Sequence, residues 1–151
     1  FPPNIKNKID RKVDKFFDLP CKPVMHTVAA RNQEELKMFA DRWGWQHCAT
    51  DWKSAIHSEA IDLVDVVTTN NVHAEHTIAA LEAGKHVACE KPLAGTLSDA
   101  RQMVEAAKTA TGKTFVWYNY RRCPAIAFAH QLCAAGKLGR IYQIRGCYLQ
   151  D

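Results

Sequence analysis

Short apolar runs alternate with segments of helical periodicity along most of the chain. Runs rich in apolar and β-branched residues predict strands, and segments with a helical apolar spacing predict helices. The predicted strands are residues 24–30, 46–49, 63–68, 86–89 and 115–118, and the predicted helices are residues 33–42, 52–56, 72–83 and 97–108. Strands that alternate with helices in this way favour βαβ units in a doubly wound parallel sheet of the α/β class.

Capping residues mark where the predicted helices begin and end. Asn32, with Glu35 three positions later, forms a capping box, and Thr96 occupies an equivalent N-cap position. Gly84 stands where the third of these helices should end. The run at residues 63–68 is almost continuously apolar, which is typical of a parallel strand covered on both faces.

The pattern changes after Arg122. Pro124 suits the first turn of a helix that Gly136 ends, and residues 141–149 predict a strand longer than any before it. A second domain, of the α+β type, is therefore expected to begin here. The expected domains are residues 1–122 and residues 123–151.

Composition and charge narrow the functional classes. The 151 residues are 47% hydrophobic and 24% charged, as in a globular domain, and no run is long enough to cross a bilayer. The net charge of +4 comes from basic residues interspersed with acids, which argues against a nucleic-acid partner. His73 and His76 lie three apart, but no further ligand stands at a zinc-motif spacing, so no metal is expected. The sequence thus predicts a soluble cytoplasmic protein with neither a membrane nor a nucleic-acid partner.

Both ends of the sequence are those expected of a truncated chain. It opens at Phe1 without an initiator Met and stops at Asp151 directly after a strand-like run. We therefore expect a fragment of a longer protein.

Polar side chains follow three consecutive predicted strands, at the edge where doubly wound sheets bind their ligands. Residues 69–73 read TNNVH, residues 90–92 read EKP and residues 119–122 read NYRR. The first group opens a helix, whose free N–H groups favour anionic or hydroxyl-rich ligands. These residues are the candidates for binding and chemistry.

The same segments carry a family resemblance. Residues 83–94, AGKHVACEKPLA, resemble the AGKHV..EKPLA signature of the glucose-fructose oxidoreductase and inositol dehydrogenase (Gfo/Idh/MocA) family, and residues 68–73 resemble its TPNxxH turn. Residues 119–125, 136–141 and 148–151 are similar to the levoglucosan- and inositol-dehydrogenase-like branch. The resemblance implies a Rossmann-like domain that binds NAD or NADP. It also implies a dehydrogenase that transfers a hydride between the nicotinamide and a sugar or polyol hydroxyl.

The resemblance gives the central role to Lys91. The family places this lysine beside the nicotinamide and the reacting hydroxyl, where an ammonium stabilises developing alkoxide charge, so Lys91 would contact both cofactor and substrate. Glu90 would hydrogen-bond a ribose or orient Lys91. The alternatives are a surface lysine in a proline-bounded turn and an ordinary ion pair of Glu90. The resemblance also implies a cis peptide bond between Lys91 and Pro92.

Further residues are expected to bind the cofactor. Thr68 would offer backbone contacts, and Asn70 and His73 would line the ribose side, although helix capping explains the last two equally well. Ala30 and Arg31 stand at the strand end that selects the adenine ribose, and a guanidinium without an acid there favours NADP, or the use of both cofactors. The alternative is that Arg31 stacks on adenine or points to solvent.

The second domain is expected to contribute to the substrate site. The branch resemblance implies that Tyr120 and Gln150 converge on sugar hydroxyls from the two domains, with generic packing as the alternative. Arg122, together with Arg121, would bind the cofactor or close the domain interface. The full-length protein is expected to be a homo-oligomer.

Two departures from the family pattern bear on activity. Residues 1–15 contain no glycine, although the helix after the family's GxGxxG loop is expected there, and the family's Asp-x-x-x-His pair would lie beyond Asp151. Thr69 also replaces the usual proline of the TPN turn. We therefore expect this chain alone to be inactive. The alternative function is a non-catalytic NAD(P)-binding sensor or a degenerate pseudoenzyme.

Overall fold

The computed structural model describes Asp18 and residues 20–149. The chain divides into two compact units, Phe1–Trp117 and Tyr118–Asp151, whereas the sequence pattern placed a domain boundary after Arg122. The expectation about the glycine-rich turn concerns residues 1–15, which lie outside the described residues, as does Gln150. The side chain of Arg122 is also outside the description.

The strands of the first unit form two parallel sheets. β1 (Thr27–Ala29) pairs with β2 (His47–Ala49). β3 (Leu63–Val66), β4 (His86–Cys89) and β5 (Thr114–Val116) form a second sheet in the order β3-β4-β5. All three pairings are parallel, which confirms the predicted α/β alternation. Most of the strands are shorter than the apolar runs that predicted them.

Helices connect the strands and follow them. They are α1 (Gln33–Trp43), α2 (Trp52–Ile56), α3 (His73–Glu82), α4 (Leu97–Thr109) and α5 (Pro124–Ala134). Short 3-10 turns at Asn70–Val72 and Asn119–Arg122 precede α3 and α5. The predicted helices are all present, with ends displaced by one residue or so.

Side-chain caps fix the start of α1 and α4. The Asn32 side chain accepts hydrogen bonds from the N–H groups of Glu34 and Glu35, at 3.1 and 3.3 Å. Thr96 Oγ1 accepts from the N–H of Asp99 at 3.1 Å. These oxygens satisfy N–H groups that have no partner within the helix, which explains why the helices begin at these positions. Gly44 ends α1 in a left-handed conformation, at φ 74°, that suits glycine.

The core lies between the three-stranded sheet and helices α3 and α4. Its buried members are Ile56, Val66, Ala80, Leu81, Val87, Cys89 and Met103. Val66, Val87 and Cys89 are 1–3% exposed and come from one face of β3 and β4. This face carries most of the apolar burial that stabilises the sheet.

Large apolar side chains are exposed on the opposite face of β3 and at the residue that follows it. Leu63 and Val67 are 52% and 47% exposed, because alternate residues of a strand point to opposite faces and only one face meets α3 and α4. The expectation that the whole run is covered on both faces is therefore wrong for the described part of the chain.

The second unit contains α5, with Pro124 in its first turn as predicted. Residues 141–149 have no regular secondary structure, so the predicted strand there is wrong. A strand is defined by its ladder to a neighbour, and no neighbouring strand stands beside this segment in the described part of the second unit. An apolar run alone does not supply that neighbour.

Gly112 offers a test of the packing between the α3–β4 and α4–β5 connections. A Cβ at this position would overlap the carbonyl oxygen of Lys85 and lie 2.7 Å from the carbonyl carbon. Because the obstacle is backbone, we expect Gly112→Ala to lower the free energy of unfolding by about 1–3 kcal/mol, measured by urea denaturation. Gly146→Ala is the matched control, since a Cβ there meets no atom within 4 Å. Equal stability of the two variants would contradict this packing.

Candidate functional site

The carboxyl ends of β3 and β4 are level with each other. Val66 pairs in register with Cys89, and the Glu90 N–H extends the ladder to the Val66 carbonyl at 2.9 Å. Thr68 and Lys91 each stand two residues beyond this last registered pair. The parallel register therefore brings the two predicted groups to the same edge of the sheet.

A buried histidine joins the two connections that leave this edge. His73, the first residue of α3, is 1% exposed. Its Nδ1 lies 2.9 Å from the carbonyl oxygen of Pro92, and its Nε2 lies 3.0 Å from the carbonyl oxygen of Thr68. Both ring nitrogens are thus engaged by protein atoms. A cofactor contact of His73 would have to come from the carbon atoms of the ring.

The 3-10 turn before α3 presents the polar groups of the first connection. Thr68 and Asn70 are exposed. The Val72 N–H donates to the Thr69 carbonyl at 3.1 Å, which closes the turn although Thr69 replaces the usual proline. A Cβ on Gly95 would lie 3.4 Å from Asn71 Cα, so the connection after β4 packs directly on this turn. The two connections form one continuous surface.

The connection after β4 carries Lys91. The Lys91–Pro92 peptide bond is cis, as the resemblance implied. The Lys91 N–H donates to the Glu90 carboxylate at 2.7 Å. The Lys91 side chain is exposed, and its ammonium forms no hydrogen bond or ion pair with the described residues. The ammonium is thus available to a ligand.

His76 lies one turn further along α3 and is half-buried. Its ring centroid lies 4.3 Å from that of Trp52, with the two ring planes tilted by 56°, and its Nδ1 lies 3.4 Å from Thr68 Oγ1. Burial lowers the pKa of His76 below its ordinary value, although the neighbouring Glu75 carboxylate opposes this shift. His76 is therefore a packing residue behind the Thr68 side chain.

Sequence reasoning missed a polar contact across the sheet. Trp117 Nε1 donates to the Asp65 carboxylate at 2.9 Å, so a side chain that follows β5 reaches over β4 to β3. The sequence feature that could have indicated this contact is Asp65, an acidic residue in the middle of the apolar run 63–68. Asp65 itself is half-buried, and Trp117 is 37% exposed. The contact links the residue that follows β5 to β3, across the central strand β4.

The residues predicted to select the adenine ribose follow β1, in the two-stranded sheet. The Ala30 N–H donates to the Ala49 carbonyl at 3.2 Å, which fixes the end of the strand. The Arg31 side chain is exposed. Both residues therefore stand at the carboxyl end of a parallel strand, where the prediction placed them.

The second unit contains Tyr120, which was expected to contact substrate. Its hydroxyl lies 3.0 Å from the Tyr148 hydroxyl, and the two rings meet edge to face at 6.2 Å. This hydrogen bond raises the pKa of Tyr120. Both side chains are exposed. Tyr148 stands in a segment that carries the resemblance but was not among the predicted site residues, because nothing in the sequence pairs it with a residue 28 positions away.

Two other features, a metal site and a membrane-spanning helix, are not found among the described residues. Nowhere among them do three histidine, cysteine or acidic side chains gather so that they could hold a metal ion. Within the same part of the chain, no helix has the length and apolarity that a membrane crossing requires.

The donor set at the sheet edge fits a nicotinamide dinucleotide. Thr68 and Asn70 present a hydroxyl and an amide group, of the kind that hydrogen-bonds ribose oxygens, and Lys91 presents an exposed ammonium. The edge itself is where ligands of doubly wound sheets bind. The chemistry of the residues and their position agree.

Comparison with known proteins agrees with this geometry. The Gfo/Idh/MocA oxidoreductases, an oxidoreductase family with an NAD-binding Rossmann fold, match residues 11–119. The levoglucosan dehydrogenase of Pseudarthrobacter phenanthrenivorans is 43% identical over 136 residues, which are 90% of this chain and 35% of that enzyme. The 1,5-anhydro-D-fructose reductase of Ensifer adhaerens is 40% identical over 114 residues, 76% of this chain and 34% of that enzyme. The chain thus spans about a third of the length of these relatives.

Solved structures resemble the fold closely. Levoglucosan dehydrogenase in complex with NADH and levoglucosan superposes with a TM-score of 0.84 at 39% identity, over 89% of this chain and 36% of that one. Its complex with NADH gives a TM-score of 0.87 at 38% identity, over 93% and 38% of the two chains. With its parallel sheets, its aligned strand ends and these matches, the chain belongs to the Gfo/Idh/MocA family of oxidoreductases with an NAD-binding Rossmann fold.

Proposed function

We propose that the chain is the cofactor-binding part of a dehydrogenase that transfers a hydride between a sugar or polyol hydroxyl and NAD or NADP. The observation that carries the proposal is the exposed Lys91 ammonium, which stands level with the Thr68–Asn70 turn at the carboxyl edge of the sheet. Similarity to levoglucosan dehydrogenase and to myo-inositol 2-dehydrogenase of Thermotoga maritima, which is 31% identical over 98 residues, supports the substrate class.

Each residue at the edge has a proposed role. When bound, the nicotinamide supplies or accepts the hydride. The Lys91 ammonium stabilises negative charge on the substrate oxygen as the hydroxyl proton passes to a general base of the longer protein, and Glu90 holds the Lys91 backbone in place. Thr68 and Asn70 bind the cofactor ribose. Ala30, Arg31 and Arg122 are proposed as further cofactor contacts, and Tyr120 and Gln150 as substrate contacts.

A chimaera tests the proposal. In this chimaera, the 136 aligned residues of this chain replace their counterparts in the levoglucosan dehydrogenase of Pseudarthrobacter phenanthrenivorans. The rest of the chimaera is the sequence of that enzyme. We expect reduction of NAD or NADP with at least one member of a panel of levoglucosan, myo-inositol and glucose. Saturable NADH binding without turnover on the panel would contradict the dehydrogenase and favour a non-catalytic NAD(P) sensor.

Cofactor preference is a separate proposal, and Arg31 carries it. A guanidinium after β1, without an acid beside it, suits the 2′-phosphate of NADP. We expect Arg31→Ala in the chimaera to lower the NADP-to-NAD ratio of kcat/KM about 10-fold, since a hydrogen bond to a charged group is lost. Arg42→Ala is the matched control, because Arg42 is an exposed arginine at the end of α1. An unchanged ratio in Arg31→Ala would contradict the assignment.

Location, assembly and domain division complete the proposal. All six cysteines are free thiols, which fits the reducing cytoplasm. We propose that the longer protein is a cytoplasmic homo-oligomer whose partner is a small sugar or polyol, with neither nucleic acid nor membrane as a partner. We also propose that residues 123–151 begin its substrate domain.

A further inference from the structure

We propose that His73 is a positioning residue for the site, which fixes the connection that carries Lys91 to the turn that carries Asn70. The inference rests on the proposed function for its catalytic meaning. The structural claim itself stands on contacts within the first unit.

The imidazole bridges two separate backbone segments. One ring nitrogen lies 2.9 Å from the Pro92 carbonyl oxygen, 19 residues further along the chain. The other lies 3.0 Å from the Thr68 carbonyl oxygen, five residues back. Carbonyl oxygens only accept hydrogen bonds, and a neutral imidazole carries a single N–H, so either neutral tautomer donates to one of the two carbonyls and only the imidazolium donates to both. A rigid ring with nitrogens on two edges sets the separation of the two carbonyls.

Burial makes the bridge strong. His73 is 1% exposed, and among the described residues it is one of the largest fully buried side chains. Water cannot replace a lost partner at such a position, and an unpaired buried polar group is costly. The ring therefore holds both carbonyls in place, and neither connection moves independently of the other.

The bridged segments are those that carry the proposed chemistry. Pro92 directly follows Lys91, and Thr68 stands two residues before Asn70. Direct packing of Gly95 on Asn71 closes the remaining gap between the connections. His73 thus acts on the reaction through the placement of Lys91, since a catalytic group must be held to within a fraction of an ångström.

Backbone relaxation of the 151-residue chain by ¹⁵N NMR tests the proposal without any cofactor. In His73→Phe, which keeps a ring and removes both ring nitrogens, we expect the order parameters of the Asn70 and Lys91 amides to fall by about 0.2 or more, out of the range of rigid backbone. The Val87 amide, which donates to the Lys113 carbonyl at 2.9 Å, should stay unchanged. In His73→Gln, which keeps one donor group, we expect an intermediate loss.

Met103→Ala is the matched control for a merely structural effect. Met103 is a buried core residue that is bonded to neither connection, so its loss destabilises the unit without releasing the bridge. Unchanged order at Asn70 and Lys91 in both His73 variants would overturn the proposal, as would an equal loss in Met103→Ala. If His73→Phe does not fold, His73→Gln is judged by the same criterion. The order parameters are measured without substrate or cofactor, so their result does not depend on whether the chimaera turns over. Turnover of the chimaera tests the proposed function alone.

Discussion

Replacing Lys91 by alanine in the chimaera is expected to lower kcat by about 10² to 10³-fold, because one preorganised charged donor is removed from the oxygen on which charge develops. The ammonium is exposed at the sheet edge and, within the described part of the chain, has no other task. NADH binding should change much less, since the ribose contacts are proposed for Thr68 and Asn70. Steady-state kinetics and an NADH titration of the same variant separate the two effects.

Lys37→Ala is the control for loss of a lysine. Lys37 lies on α1 and pairs with Asp41 at 3.9 Å, and both side chains are more than 70% exposed. Such a surface pair contributes little to stability, so activity and folding should match the parent chimaera. A Lys91→Ala chimaera that keeps most of the parent's kcat would show that the stabilising group is elsewhere.

The largest expected loss of stability comes from Met103→Ala. Met103 is 3% exposed in α4 and packs in the core with Val87 and Leu81. Truncation removes buried apolar atoms and leaves a cavity that the rigid sheet fills only partly. We expect the free energy of unfolding of the 151-residue chain to fall by about 2–5 kcal/mol, measured by urea denaturation.

Met38→Ala is the matched control on α1. Met38 is 64% exposed, so the same chemical change should alter the free energy of unfolding by no more than about 0.5 kcal/mol. If the two methionine variants were equally stable, the core would not lie between the three-stranded sheet and α4.

Local patterns in the sequence predicted the elements of the first unit well. Asn32 and Thr96 cap their helices through their own side chains, and those contacts involve residues only two or three apart. The segment 141–149 is also rich in apolar residues, like the runs that form strands, but it forms no strand. Its conformation depends on a partner backbone, which a pattern within the segment cannot reveal.

In the candidate site, too, local motifs predicted some residues, whereas contacts between distant segments were not predicted. Lys91 and Asn70 were found because they stand in motifs and follow strands, and the parallel register brought them to one edge. The bonds of His73 were not predictable, because its partners are the backbone carbonyls of Thr68 and Pro92, which every residue type possesses. The Tyr120–Tyr148 pair was missed for a related reason, since two exposed tyrosines far apart in sequence give no local signal.

The indole of Trp117 gives the sheet edge an optical reporter. Trp117 directly follows β5, and its bond to Asp65 holds the indole in one orientation at the end of the strands. Reduced nicotinamide absorbs in the range where indole emits, so a dinucleotide bound at this edge would quench the emission of Trp117 by energy transfer. The chain has three other tryptophans, and the difference in quenching between the parent chain and Trp117→Phe isolates this one. The residue that fastens β5 to β3 would thereby make occupancy of the proposed dinucleotide site readable by fluorescence without a label.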